Sequence, residues 1–255
     1  MATEIELFRC LDTNVGILVR DTETGEVAAV DAPDGAAILA VLERKNWPLN
    51  HILITHAHAD HIQGIDALRK AHECRVIAPE KSRELVQRAD LWVGDGDIVR
   101  VGALHFEVMA TPGHSQDHVS YRLEEEKQAF IGDVLFVMGC GRVFAGDYKG
   151  MWHSLQRLSH MPDETLLYCG HDYALNNGRF ALQVEPDNED IKQRMQEVEA
   201  ARDKVKIFMP TTLGDEKKTN PFLREHLPQV AAMVDKNPEE PERVFRALRD
   251  WKDSF

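Results

Sequence analysis

Residues 55–61 read Thr-His-Ala-His-Ala-Asp-His, so three histidines and one aspartate (His56, His58, Asp60 and His61) fall within six positions. Imidazole and carboxylate are costly to bury unless something pairs with them. A divalent metal is the simplest common partner for so dense a set. Three further residues of ligand type share one form: an apolar run, a glycine, then the side chain. They are His114 after Thr111-Pro-Gly113, Asp133 after Phe130-Ile-Gly132, and His171 after Leu167-Tyr-Cys-Gly170. A glycine there lets the backbone turn sharply and come close to a site. The set supplies seven nitrogen and oxygen ligands, enough for two metals sharing one carboxylate. No cysteine belongs to it, which argues against a closed structural zinc site. His118, four residues past His114, enters a strand rather than leaving one and ranks behind it.

The elements that must carry these residues follow from the flanking patterns. His51-Ile-Leu-Ile54 is a short apolar run and reads as a buried strand. Ile62, Ile65 and Leu68 have helical spacing. The cluster therefore lies on a loop leaving a strand and entering a helix, with Asp60 where an N-cap belongs. Strands are expected at 5–9, 14–20, 27–30, 75–78, within 98–109, at 119–123, 129–131 and 165–169. Thr24-Gly25 marks a hairpin turn. Helices are expected from Gly35 to about Lys45, over Glu80–Arg88 and over 150–160. From about 174 the pattern is helical, with Asp190–Ala201, Leu227–Val234 and Glu240–Trp251 as helices and no strand. This predicts an α/β layered catalytic domain over residues 1–173 and an all-helical domain over 174–255.

Composition sets outer bounds. The 255 residues are 43% hydrophobic and 29% charged, ordinary for a soluble globular chain. No apolar run approaches the roughly 20 residues of a membrane span, and the acidic N-terminus lacks a signal-peptide core. The four scattered cysteines read as reduced thiols, so the expected location is the cytoplasm. A net charge of −13 argues against a nucleic-acid partner. Residues 174–255 hold 14 basic and 16 acidic residues, so −11 of that charge lies in residues 1–173. An anionic substrate is better received by the C-terminal part.

The ordered motifs Thr55-His-Ala-His-Ala-Asp-His61, Thr111-Pro-Gly-His114, Gly132-Asp133 and Gly170-His171 resemble the metallo-β-lactamase superfamily. Two longer stretches, Gly132–Arg142 and Tyr168–Asn177, together with Val184-Glu-Pro186 and Thr219-Asn-Pro-Phe222, resemble glyoxalase II, the hydroxyacylglutathione hydrolases. The resemblance implies an αββα sandwich followed by a smaller helical domain and a dinuclear metal centre. His56, His58 and His114 would hold the first metal, Asp60, His61 and His171 the second, and Asp133 would bridge them. Zinc is the first expectation, with iron and manganese as alternatives that the same ligands suit.

The implied reaction is hydrolysis of S-(2-hydroxyacyl)glutathione thioesters, S-D-lactoylglutathione giving D-lactate and glutathione, as the second step of methylglyoxal detoxification. A metal-bridging hydroxide would attack, oriented by Asp60 and Asp133. Glutathione would be gripped by Arg142, Phe144, Tyr173, Arg249 and Lys252, in a monomer with no nucleic-acid or membrane partner. The same fold also carries persulfide dioxygenases and lactonases, which stand as the alternative. Two positions depart from the family pattern. Phe144 stands where tyrosine is usual, so a hydroxyl donor is missing. Asp117 stands where glycine is common and adds a negative charge in the loop after His114.

Overall fold

A computed structural model describes residues 3–144, 146–204 and 206–255. Contacts divide the chain into two compact units, one running to Ala110 and including Gln116–Gly132, the other made of Thr111–Ser115 and Asp133–Phe255.

The first unit contains β1 (Thr3–Arg9), β2 (Val15–Asp21), β3 (Val27–Val30), α1 (Gly35–Lys45), β4 (His51–Leu53), α2 (Ala59–Ile62), α3 (Ile65–Ala71), β5 (Arg75–Pro79), β6 (Leu91–Val93), β7 (Ile98–Val101), β8 (Leu104–Ala110), β9 (Val119–Leu123) and β10 (Gln128–Gly132). Strands β1 to β6 form one sheet in sequence order. The first three are antiparallel, joined at β2–β3 by the expected turn, where Gly25 N–H donates to Asp21 O at 2.9 Å. From β3 onward the pairing is parallel. Parallel neighbours need crossover connections; α1 supplies the one between β3 and β4, and α2 with α3 the one between β4 and β5. Asp34 caps α1 by accepting from Ala36 N and Ala37 N, and Ile38, Val41 and Leu42 form its buried face. That face packs with Leu18, Ile52, Leu68 and Val76 in the core, each fully buried aliphatic side chain contributing about 1.5–3 kcal/mol. Strands β7 to β10 form an antiparallel meander. Val119 N–H donates to Thr55 O at 2.9 Å, and the buried Tyr121 hydroxyl donates to Ile54 O at 2.8 Å. Both bonds fix the end of β4, from which the histidine cluster departs.

The second unit contains β11 (Leu135–Phe136), β12 (Gly139–Cys140), α4 (Tyr148–Ser159), β13 (Leu166–Cys169), α5 (Ala174–Val184), α6 (Glu189–Asp203), β14 (Thr211–Thr212), α7 (Leu213–Thr219), α8 (Pro228–Met233) and α9 (Pro241–Ser254). Strands β11 and β12 form a small hairpin, and β13 pairs antiparallel with β14. In α9 the buried residues are Val244, Phe245, Leu248 and Arg249, a 3.6-residue stripe in which an arginine shares the apolar face.

Three expectations need correction. The helix over Glu80–Arg88 is only a 3₁₀ turn at Glu80–Ser82: Val86 is buried in the core but Leu85 is 63% exposed, so the segment has no apolar face of helical width to bury. A short strand, Thr211–Thr212, lies in the segment expected to be strand-free. Asp60 is not the N-cap of α2: His58 holds that position, without a side-chain cap bond, and Asp60 lies in the first turn.

Candidate metal centre

In the first unit the loop 55–58 is held from behind by two carboxylates. Asp31 Oδ1 accepts from Thr55 N at 2.7 Å, and Oδ2 accepts from the Thr55 hydroxyl at 2.8 Å and from His61 Nδ1 at 2.8 Å. With its proton given to Asp31, the Thr55 hydroxyl accepts from His56 Nδ1 at 2.9 Å. Such hydrogen bonds fix ring orientation and tautomer, and they turn Nε2 of both His56 and His61 toward a ligand role. Asp117 Oδ2 accepts from Ala57 N at 2.9 Å and from Ser82 Oγ at 2.5 Å. Its charge is thus engaged in shaping the loop. Asp60 is placed by Asn14, whose Nδ2 donates to its backbone and side-chain oxygens at 3.1 Å each. His56 Nε2 and His58 Nδ1 lie 2.9 Å apart, and Asp60 Oδ2 is 3.8 Å from His61 Nε2.

In the second unit Asp133 Oδ2 lies 3.5 Å from His114 Nε2 and 3.3 Å from His171 Nε2. His114 is oriented by donating from Nδ1 to Arg142 O at 2.9 Å. His171 stacks on Tyr173 with ring centroids 4.8 Å apart and planes at 6°. The glycines before the ligands are required at two of the three places. Gly113 has φ 134° and Gly132 has φ 48°, which L side chains avoid. A Cβ on Gly132 would lie 2.8 Å from Thr55 Oγ1.

Among the described residues, three trios each offer one ligand atom per side chain within 4.8 Å of one another: His56, His58 and His114; His56, His61 and Asp133; Asp60, His61 and His171. Each of the seven expected ligands occurs in at least one of these trios. His118, the competitor of His114, is in none of the trios; it is buried and stacks on His56 at 4.9 Å. The donors are imidazole and carboxylate, which fit a divalent ion. The four cysteines are free and buried. Burial pushes the Cys10 thiol up to about 12 and that of Cys140 to about 11, and raises Cys169 as well, so no thiolate is at hand to compete.

The residues expected to grip glutathione lie in the second unit. Arg142 is two-thirds exposed, with Nε 3.7 Å from Asp253 Oδ1. Phe144 is 65% exposed and sets its ring edge-on to His114 at 5.3 Å. Arg249 is 3% exposed; it donates to Cys140 O and Asp253 Oδ1, both at 2.9 Å, and lies over the Phe222 ring. Its charge is therefore fixed in place. Lys252 Nζ reaches Asn176 O at 3.2 Å and the Asn176 side-chain oxygen. Burial, with the neighbouring Arg249 and Arg142 charges, pulls its ammonium down to about 8. Asp31 and Asp253 escaped the sequence reading. Asp31 does follow an apolar strand, as Asp133 does, but without the glycine.

Residues 21–171 match the model of the metallo-beta-lactamase superfamily, and the chain belongs to that superfamily. Residues 172–255 match the hydroxyacylglutathione hydrolase C-terminus. The hydroxyacylglutathione hydrolase of Rhodopseudomonas palustris (strain BisA53) is 47% identical over 252 residues, 99% of each chain. The branch is therefore that of the hydroxyacylglutathione hydrolases, glyoxalase II. Among solved structures, ETHE1 from Myxococcus xanthus is 29% identical, with 96% of this chain and 90% of that one covered and a TM-score of 0.68. TTHA1623, solved in a di-iron-bound form, is 25% identical, with 86% of this chain and 100% of that one covered and a TM-score of 0.60.

Proposed function

We propose that His56, His58 and His114 hold one divalent metal, that Asp60, His61 and His171 hold a second, and that Asp133 bridges them, in a chain that hydrolyses S-(2-hydroxyacyl)glutathione thioesters. The enzyme is a hydrolase of the glyoxalase II type, and S-D-lactoylglutathione, giving D-lactate and glutathione in methylglyoxal detoxification, is its substrate. The observation that carries the dinuclear reading is the set of three trios, which use His56 and His61 twice and leave Asp133 Oδ2 beside both His114 and His171. Zinc is the first candidate and iron the second. Two ions so held would lower the pKa of a shared water toward neutrality and polarise the thioester carbonyl.

The chain's own residues do the rest. Asp60 and Asp133 orient the attacking water by accepting hydrogen bonds from it. Asp31 keeps His56 and His61 in the tautomer that presents Nε2. Arg142, Tyr173 and Lys252 receive the tripeptide's carboxylates and backbone, and Phe144 packs against it; Arg249, expected to join them, is buried on Cys140 O and Asp253 and acts from behind, through its charge. The leaving thiolate has an intrinsic pKa of roughly 8.5, which explains why no acid residue is set aside for it. We place the domain boundary near residue 173 and the protein in the cytoplasm as a monomer; among the described residues no helix is long and apolar enough to cross a membrane. The persulfide dioxygenase and lactonase readings are not favoured, because the hydrolase-specific C-terminal model fits the helical segment.

Hydrolysis of a panel of glutathione thioesters, with released thiol trapped and read by absorbance, tests the activity. Turnover of S-D-lactoylglutathione is expected. Oxygen uptake with a persulfide substrate and no thiol release from thioesters would contradict it.

Lys252 is charged below about 8 and neutral above it. KM for the thioester is therefore flat at lower pH and rises about threefold to fivefold as pH passes upward through that value, with kcat unaffected by this group. Lys252→Arg, which stays protonated, removes the rise; a rise that persists in that variant assigns it to another group. Phe144→Tyr restores a hydroxyl at an exposed ring, and one hydrogen bond lowers KM about twofold to tenfold. An unchanged KM would mean that the ring only packs.

A further inference from the structure

The hairpin β11–β12 lies between two residues of the proposed centre. Asp133 precedes it, and Arg142, whose carbonyl holds His114 Nδ1, follows it. Its own sequence does not specify so tight a turn. Phe136 pairs with Gly139, leaving Val137 and Met138 as the turn residues, and Met138 has φ 55°. A positive φ at the second central residue selects glycine or asparagine. A long side chain persists there only where its surroundings over-determine it.

Those surroundings come from residues 174–255. Asn220 Nδ2 donates to Phe136 O at 3.1 Å and to Gly139 O at 2.9 Å. Asn177 Nδ2 donates to Val137 O at 3.1 Å. Met138 N–H donates to Glu216 Oε2 at 2.8 Å, and Arg249 Nη1 donates to Cys140 O at 2.9 Å. All four side chains are at most 5% exposed, so water does not compete for these bonds. The Val137 and Met138 side chains are buried with Ala174, Ala181, Ile191 and Met195 of α5 and α6. The hairpin in turn presses on the ligands. Gly141 N–H donates to Val134 O at 3.1 Å, and a Cβ on Gly141 would collide with Asp133 O and come within 3.0 Å of His114 Nδ1. A shift of the hairpin therefore moves Asp133 and His114 together.

We infer that Asn177, Glu216 and Asn220 are positioning residues for the metal ligands: the helical segment sets residues 135–140, and through them the Asp133 carboxylate and the His114 ring. The segment that receives glutathione thus also tunes metal affinity. This rests on the reading that Asp133 and His114 are ligands.

The test compares Asn177→Ala and Asn220→Ala with Arg224→Met. The last removes the Arg224–Glu185 pair, bonded at 2.7 and 2.8 Å, and the Arg224 bond to Lys217 O at 3.0 Å, but no bond to residues 135–140, and so reports the effect of lost stability in the same segment. Zinc affinity is read by competition with a chromophoric chelator, and thermal unfolding is measured alongside. Asn220→Ala is expected to bind zinc about tenfold to a hundredfold more weakly, Asn177→Ala to shift less in the same direction, and Arg224→Met to stay within about twofold of the parent. Weakening of the same size in Arg224→Met at equal stability loss, or parental affinity in Asn177→Ala and Asn220→Ala, overturns the inference. If Asn220→Ala does not fold, Asn177→Ala, which gives up a single bond, decides. A parent chain that binds fewer than two zinc ions removes the underlying reading instead, and that is seen before any variant is compared.

Discussion

Replacing Asp133 with asparagine lowers kcat by roughly a thousandfold, about 4 kcal/mol of transition-state stabilisation, and reduces metal content from two ions per chain to one. The side chain is nearly isosteric, so packing survives; what is lost is the negative charge. Asp133 Oδ2 lies 3.5 Å from His114 Nε2 and 3.3 Å from His171 Nε2, a position from which one oxygen can serve two cations. A neutral amide cannot hold two dications close together. KM is expected to change little, because the residues proposed to contact glutathione lie elsewhere, so the loss falls on kcat. Steady-state kinetics with metal analysis of the same preparation checks this. Two bound metals and a kcat within tenfold of the parent would show that Asp133 does not bridge.

Truncating Glu216 to alanine destabilises the fold by about 3–5 kcal/mol. Glu216 is fully buried. It accepts from Met138 N at 2.8 Å, Asn220 Nδ2 at 2.9 Å, Thr211 Oγ1 at 2.7 Å and Arg194 Nη2 at 3.2 Å. Removing it takes the acceptor from the buried Met138 N–H and strips Arg194 of its buried carboxylate partner, leaving it Thr211 and Asp215. Burial raises its pKa despite Arg194. Its ionised form therefore costs stability as pH rises through the folded value, and the loss on truncation comes from the abandoned donors rather than from the missing charge. For a chain of this length the melting temperature falls by about 6–20 °C. Glu216→Gln, whose amide oxygen still accepts from Met138 N, falls by less. A melting temperature within about two degrees of the parent in Glu216→Ala would show that this network adds little.

The candidate ligands could be picked out of the sequence because each follows an apolar strand, and three of them follow a glycine that breaks it. That is a local pattern, and a single chain can display it. The β and α order around them was legible for the same reason. What stayed hidden depends on distance along the chain. Asp31 reaches Thr55 and His61 across 24 and 30 positions, and Asp117 reaches Ala57 across 60; no spacing rule records such bonds. Asp117 looked like a stray charge for that reason. The hairpin at 135–140 was equally obscure, since Val137 and Met138 are not turn formers and their conformation is imposed by Asn177, Glu216 and Asn220. Glu80–Arg88 shows the opposite failure: a helical pattern was present, but Leu85 found nothing to pack against.

In the proposed centre seven side chains hold two metals, and both are needed for thioester hydrolysis. Titrating the metal-depleted chain with zinc while following glutathione release from S-D-lactoylglutathione tests it directly. The rate should stay low through the first equivalent if the sites fill in order, or rise in proportion if they fill together, and in either case level off at two zinc ions per chain. A plateau at one zinc ion, or full hydrolysis without metal, would contradict it.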